Sequence, residues 1–541
     1  MRSAPARALL AVALLLTTAC TAKPDSAGPE ASTTTVASGS VATGSTGSTS
    51  ASTSAGGTPF ALGVEYTERG LAEPFGAAGI TWAKTRLEAF AWGAIEAKAP
   101  IGGTHNYDWS CTDALVLEYQ RAGMVNLQSY ISTVSAWGNE GARAPAPAPS
   151  HNDDFRAFVT ALVERYDGDG RDDLPGLRAG VHDWVVGGEW TGYWQSRNAD
   201  DYVATLRVAA SAIRAADPNA RVGAIPFMLY DVFGGSPSAS EIQRRLVDPA
   251  PTFRNSTKGM LQIIDAADVW DYLNIHSLGD YTEIEPTIAW LHGQLSARQL
   301  DRPIWIDDAF PTSLMVNRPL PTTGWPTFAP VDAGRSEAVH DALVAVADKD
   351  DQATRWIEGE VAKGVIHKTV TAFAAGARGI NVGNTDDWVH DDVASLRRLN
   401  ANLLGAAAFS GLIDVVHSGG YQACQPRRAG AARPALANLS LLTDVLRDAG
   451  SVERMASPPH IRAYRVTRAR GVAYVVWAED GVLQLPAERE PTTAYALAIP
   501  DATKVRLRLA ADDATTIEES TRDIANGAVA LTLTSRPVVV D

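Results

Sequence analysis

From about residue 59 onward the chain alternates short apolar runs with longer amphipathic stretches. The runs at Gly79–Trp82, Val125–Tyr130, Val181–Gly188, Val222–Ile225, Tyr272–His276, Pro303–Ile306 and Gly379–Val382 have strand length and are bounded by turn residues. Between them, 154–166, 200–216 and 351–364 show helical periodicity behind Asp caps. Seven or eight such units over roughly 350 residues predict a parallel sheet with both faces covered, and the unit count favours a (β/α)8 TIM barrel over an open doubly wound sheet. No Gly-rich phosphate-binding turn follows the first of these strands, which argues against a dinucleotide fold. After about residue 411 the texture changes. A loop at 419–434 and a helical stretch at 436–446 precede alternating strands at 461–466, 472–477, 505–509 and 529–533, the pattern of a smaller antiparallel β-sandwich. The expected α/β barrel covers 59–415 and the sandwich 416–541.

The first residues follow a different logic. Arg2 and Arg7 flank a short apolar run, Ala8–Leu16, and small residues lead to Cys20. This resembles a bacterial lipoprotein signal peptide, with 1–19 removed and Cys20 lipidated, although Leu16 stands four residues before the cysteine where three is usual. Ordinary secretion with Cys20 incidental is the other reading. Residues 20–58 are rich in Ser, Thr, Gly and Ala, too polar to form a core, and read as a tether reaching ~30–35 Å. The chain is therefore expected to be exported and either lipid-anchored to the membrane or extracellular. In an oxidising compartment Cys111 and Cys424 form an even pair and are expected to be bridged if the fold brings them together. A net charge of −15 argues against nucleic acid as a partner, while 14 Trp and 14 Tyr supply aromatic surface, most of it expected in the core.

Two apolar runs end in acids: Val185-Val186-Gly187-Gly188-Glu189-Trp190 and Arg302-Pro303-Ile304-Trp305-Ile306-Asp307-Asp308. In a parallel barrel such run-ends lie at the carboxyl face, where active sites form, and two facing carboxylates are the minimal equipment for glycosidic cleavage. Together with Lys84-Thr85-Arg86, Trp92 and Glu96, Asn106–Trp109, Asp113, Gly123, His276 and the closing Ser535–Val540, these stretches resemble clan A glycoside hydrolases over roughly residues 60–541. The resemblance implies a retaining barrel enzyme needing no cofactor, acting as a monomer on a glycan. It implies Glu189 as acid/base and Asp308 as nucleophile, with Arg86 keeping Asp308 ionised. His276 and Tyr281 would orient the nucleophile or bind a sugar hydroxyl, and Trp388 would floor the subsite, with Trp190 beside the acid.

Two departures stand out. Gly188 occupies the position where the family places Asn, and Asp308 is one methylene shorter than the family's Glu. A shorter arm is expected to widen the carboxylate gap, and Asp307 is expected to be turned away by strand alternation. Glu189, Asp308, His276 and Arg86 each also have a plain structural reading as loop acid, cap or ion-pair partner, core histidine and barrel ion pair. Asn139-Glu140 reads as surface, and the acids Asp386, Asp387, Asp391 and Asp392 suit a helix N-terminus better than a metal. The alternatives to an enzyme are a catalytically inactive carbohydrate-binding surface lipoprotein and an adhesion module without a pocket lined by Trp82, Trp190, Trp194 or Trp388.

Overall fold

Among the described residues, eight parallel strands close into a barrel. They are β1 (Ala61–Thr67), β2 (Trp82–Thr85), β3 (Asn126–Ile131), β4 (Asp183–Val186), β5 in two pieces (Arg221–Gly223 and Phe227–Met228), β6 (Leu273–Ser277), β7 (Ile304–Ala309) and β8 (Gly379–Asn384). β5 completes the circle. Its first piece pairs with β4, Gly223 bridges to Tyr272, and its second piece pairs with β6. Pro226, which has no N–H to give a ladder, lies between the two pieces. The computed structural model describes residues 60–139, 146–190, 199–229, 232–234, 237–247, 257–312, 336–387, 398, 405–416, 424–479, 483–500 and 502–541. Cys20 and its tether, Glu140, Trp194, Trp388, Asp391 and Asp392 lie outside these residues.

The alternation of the strands fills the barrel in three layers. At the amino end Trp82, Tyr272 and Trp305 pack together, Trp305 lying 5.1 Å from Trp82 and 6.0 Å from Tyr272 between ring centres. Gly379 makes this possible, since a Cβ there would sit 2.4 Å from the Trp305 ring. Trp82 thus belongs to the floor of the barrel, at the end opposite the acids. Above it, Asn381 donates to Gln128 (2.7 Å), Gln128 to Asn274 (3.1 Å) and Asn274 to the Ala224 carbonyl (2.8 Å). The third layer, at the carboxyl end, is charged and carries the site.

The run at Gly79–Trp82 only leads into β2, and β1 matches none of the predicted runs. The three predicted helices form as Asn152–Tyr166, Ala199–Ala216 and a long one, Asp351–Ala374, which continues ten residues past its predicted end. Asp350 caps the last, accepting from the Gln352 and Ala353 backbone N–H groups. This helix has polar residues buried on every side because the barrel covers one face and the C-terminal sheets the other. Those sheets comprise β11 (Ala449–Arg454), β12 (Ile461–Arg468), β13 (Gly471–Ala478), β15 (Lys504–Leu509), β16 (Glu518–Asp523) and β18 (Val538–Val540) in the order β11-β12-β13-β18-β15-β16, beside the pair β14 (Thr493–Ala498) and β17 (Ala528–Leu533). A smaller antiparallel ladder, β9 (Ile413–Val416) with β10 (Arg428–Ala432), precedes them. The architecture is the α/β barrel followed by an antiparallel β part that the pattern predicts.

The seam between barrel and sheets is polar but satisfied. Lys363 binds Glu490 and the Ser535 hydroxyl, and Trp356 donates to the Gln484 carbonyl. His367 stacks on Trp477 at 4.5 Å and bonds the Ser535 carbonyl. Burial, and then the nearby Lys363 charge, hold His367 down to about 3. A histidine kept neutral in the fold takes up its proton in the unfolded chain first, so stability is expected to fall as pH drops from about 6.5 towards 3. Urea unfolding at pH 7 and pH 5 is expected to show a smaller loss for His367→Gln than for the native chain.

Cys111, in the helix Ser110–Ala122, is bridged to Cys424 across 313 residues of sequence. The bridge ties the second βα unit to the segment between barrel and sheets. Closing so long a loop stabilises chiefly by restricting the unfolded chain, and Cys111→Ala with Cys424→Ala is expected to cost about 2–5 kcal/mol. Comparing the denaturation midpoint of this variant with that of the native chain, each with and without reductant, checks it. Only the native midpoint should respond to reductant.

Candidate active site

β4 delivers the first acid. Gly187, at φ +87°, turns the chain out of the strand, a conformation that glycine adopts without strain. Glu189 then stands at the barrel mouth while Trp190 turns into the core, its backbone N–H bonded to Pro226. Trp190 is fully buried against Tyr202, 6.0 Å away between ring centres. It is therefore a core residue and not a sugar platform. A Cβ on Gly188 would lie 3.2 Å from the Leu87 side chain, a contact that a few tenths of an ångström of movement would relieve.

β7 delivers two acids instead of one. Trp305 faces inward, and alternation carries Asp307 inward with it. The ladder then slips: Ile275 pairs with Ile306, but His276 pairs with Asp308, and the pairing to β8 also shifts between Ile306 and Ala309. This bulge brings Asp308 to the same side. Asp307 is thus not turned away, because the expected alternation had been phased on Asp308 and took no account of the bulge.

His276, on β6, links the acids. Its Nδ1 is 2.9 Å from Glu189 Oε1 and 3.6 Å from Asp308 Oδ2, and its Nε2 is 3.3 Å from Asp307 Oδ1. Burial alone would lower its pKa, but Asp308 and Asp307 outweigh burial and raise it to about 9. His276 is therefore an imidazolium at neutral pH. One donor atom each from Glu189, His276 and Asp308 lies within 4.8 Å of the others, a spacing that suits a small cation. Here the imidazolium itself supplies the positive charge, and with Nδ1 protonated it is a donor, not a metal ligand.

Two further groups complete the charged layer. Lys84 on β2 donates to Glu65 on β1 (3.0 Å), and its ammonium lies 4.9 Å from the Tyr130 ring centre and 5.2 Å from that of Tyr66. Tyr130 donates to Asp307 Oδ2 (3.0 Å). Burial alone would raise the Asp308 carboxyl, yet His276, a hydrogen bond with Glu65, Lys84 and Lys368 together hold it below the usual carboxylate range. Asp308 is buried, whereas the Glu189 side chain keeps 34% of its surface exposed. One acid is sealed and charged, and the other is open at the mouth.

Other expected roles are reassigned by the geometry. Arg86 lies 3.3 Å from Glu68 and 3.0 Å from Glu88, above the Tyr66 ring at 4.4 Å. The cations with the largest effects on Asp308 are His276, Lys84 and Lys368. Tyr281 faces the seam, where its hydroxyl accepts from Trp477 (3.0 Å) and its ring lies 4.8 Å from His367. The 3-10 turn at Tyr281–Glu283 carries it towards the sheets and away from the pocket. Asp386 and Asp387 are engaged by Arg427 and Arg433. Glu96 accepts from Trp92 and pairs with His105, tying down the loop after β2 away from the acids. Glu65 and Tyr130 are the members that reading the sequence missed; Lys84 enters that reading only as part of a motif, and Asp307 only as a residue facing away. Charged residues at alternating positions inside apolar runs were the available signal.

A parallel barrel of this kind followed by an antiparallel β part is a glycoside hydrolase-like fold. Solved structures share it: the chain is similar to a glucosidase from Croceicoccus marinus, at 13% identity and a TM-score of 0.50 over 90% of this chain and 97% of that one. It also resembles the catalytic domain of a GH30 xylanase C from Talaromyces cellulolyticus (11% identity, 90% and 96% covered, TM-score 0.49). A third is a family 44 xyloglucanase from Paenibacillus polymyxa (11%, 89% and 97%, TM-score 0.45). At such identities the likeness is one of fold. No family model matches the chain, and no curated protein matches it.

Proposed function

We propose that the protein hydrolyses O-glycosidic bonds of a glycan, with Glu189 as acid/base and Asp308 as nucleophile. The observation that carries this reading is the approach of the two carboxylates, one oxygen of each within 4.8 Å, at the ends of β4 and β7. Retaining glycosidases hold their acids about 5–5.5 Å apart and inverting ones about 6.5–9.5 Å. We read so close an approach as favouring the narrow, retaining arrangement despite the shorter aspartate arm. Asp308, sealed and ionised, suits attack on the anomeric carbon. Glu189, open at the mouth, suits proton delivery to the leaving oxygen and later activation of water.

A screen of aryl glycosides and polysaccharides, with Glu189→Gln and Asp308→Asn as controls, tests the activity. Proton NMR of the first product formed tests the geometry: retention of anomeric configuration is expected, and inversion would mean that water, not Asp308, attacks. Glycan binding with no hydrolysis in the native chain would favour the surface-binding reading. We also propose export and lipid anchoring at Cys20, supported by the apolar run and small residues before it. Cys20→Ala is expected to release the protein from the membrane fraction.

A further inference from the structure

Glu65 has no place in a two-carboxylate mechanism, yet it is the most enclosed acid of the site. It rises from β1 with no exposed surface, and β2, β7 and β8 are the strands packed around it. Lys84 satisfies Oε1 at 3.0 Å, but Oε2 is sealed from solvent and meets no donor. Across from it Asp308 has the same defect, with Oδ1 buried and without a donor. The two carboxyls are within hydrogen-bonding reach of each other. Two ionised carboxylates cannot hydrogen-bond to each other, because neither has a hydrogen to give. One proton placed between them supplies the missing donor and removes a like-charge contact.

We infer that Glu65 is kept as a neutral carboxylic acid whose O–H donates a hydrogen bond to Asp308, making Glu65 a positioning residue for the attacking carboxylate. The positioning half rests on the reading of Asp308 as nucleophile. The surrounding charges agree on which partner holds the proton. Asp308 faces His276 from β6 and feels Lys84 and Lys368, which favour its charged form. Burial and then the Asp308 charge push the Glu65 carboxyl well above its usual range, and Lys84 only partly opposes them. Tyr66, Tyr130 and Asp307 also face this group, the tyrosines neutral and Asp307 adding negative charge near Lys84. Chemically, the arrangement fixes the rotamer of a side chain one methylene shorter than the usual glutamate, and leaves its other oxygen free to attack.

Infrared spectroscopy of the substrate-free protein at neutral pH gives a direct test. A carboxylic-acid carbonyl band is expected in the native chain and its loss in Glu65→Gln, whereas identical spectra in the acid region would overturn the inference. Melting temperature gives a second test that needs no activity. Gln mimics a neutral acid, so Glu65→Gln should melt within a few degrees of the native chain, whereas a large loss would mean that Glu65 is an ionised partner of Lys84. In kinetics, Glu65→Gln should stay within about tenfold of native kcat/KM, while Glu65→Leu, which has no donor, should fall by about 10²-fold. Equal losses in the two variants would remove the positioning role. Failure of the glycoside screen would sink the catalytic reading alone, and the infrared and melting results would still decide the shared proton.

Discussion

Asp308→Asn is expected to reduce kcat/KM by about 10⁴-fold or more on every glycoside that the native protein cleaves, whatever its leaving group. Losing a nucleophile removes the covalent step itself, and deletions of that kind cost about 10⁴–10⁶ in enzymes that work through an intermediate. Glu189→Gln should behave differently. Proton donation contributes about 10²–10⁴, but only where the leaving oxygen needs a proton. Dinitrophenyl glycosides, whose leaving group departs as an anion, should therefore lose much less in the first step than unactivated substrates. The measurement is kcat/KM for both variants across a leaving-group series. Parallel losses in the two would contradict the separate roles that the sealed Asp308 and the open Glu189 imply.

The second large effect is on stability. Lys84→Met is expected to cost about 3–5 kcal/mol, since removing the ammonium leaves the buried Asp307 and Asp308 without its compensating charge and Glu65 Oε1 without its donor. Lys84 is almost wholly enclosed and serves Glu65, Asp307 and Asp308 together. Burial disfavours its charge, but the three acids outweigh burial and raise its pKa. Lys84 lowers the folded Glu65 and Asp308 carboxyls, so without it both hold their protons more tightly than in the native fold. The stability deficit of the variant should then grow as pH rises from about 4 to 8, because the native fold is the one that releases those protons more readily. Urea denaturation at pH 5 and pH 8 should show the deficit relative to the native chain widening at pH 8.

How much of this was legible before folding differs from residue to residue. Glu189 and Asp308 stand at the ends of apolar runs, so strand length and barrel topology alone put them at one face. His276 could be placed at the same face, but not between the acids, since that depends on the register of three strands. The bulge at Asp307-Asp308 leaves no mark in the sequence beyond two adjacent acids. β1 escaped notice because Glu65 interrupts its apolar alternation. Trp190 and Tyr281 show the opposite error. Both follow strands closely enough to seem to line the pocket, yet Gly187 turns Trp190 into the core and the Tyr281–Glu283 turn sends Tyr281 into the seam. Which side of a turn a side chain takes is set by packing partners far away in sequence, Pro226 in one case and Trp477 in the other.

The most direct measurement is to trap the intermediate. The protein is incubated with a panel of 2-deoxy-2-fluoroglycosyl fluorides matched to the glycosides it cleaves, then digested, and the labelled peptide is sequenced by mass spectrometry. A single sugar adduct on Asp308 is the expected result, with no adduct in Asp308→Asn and with turnover in the native protein lost in step with labelling. An adduct on Glu65, Asp307 or Glu189, or continued turnover with no adduct at all, would contradict the assignment of Asp308 as the attacking group.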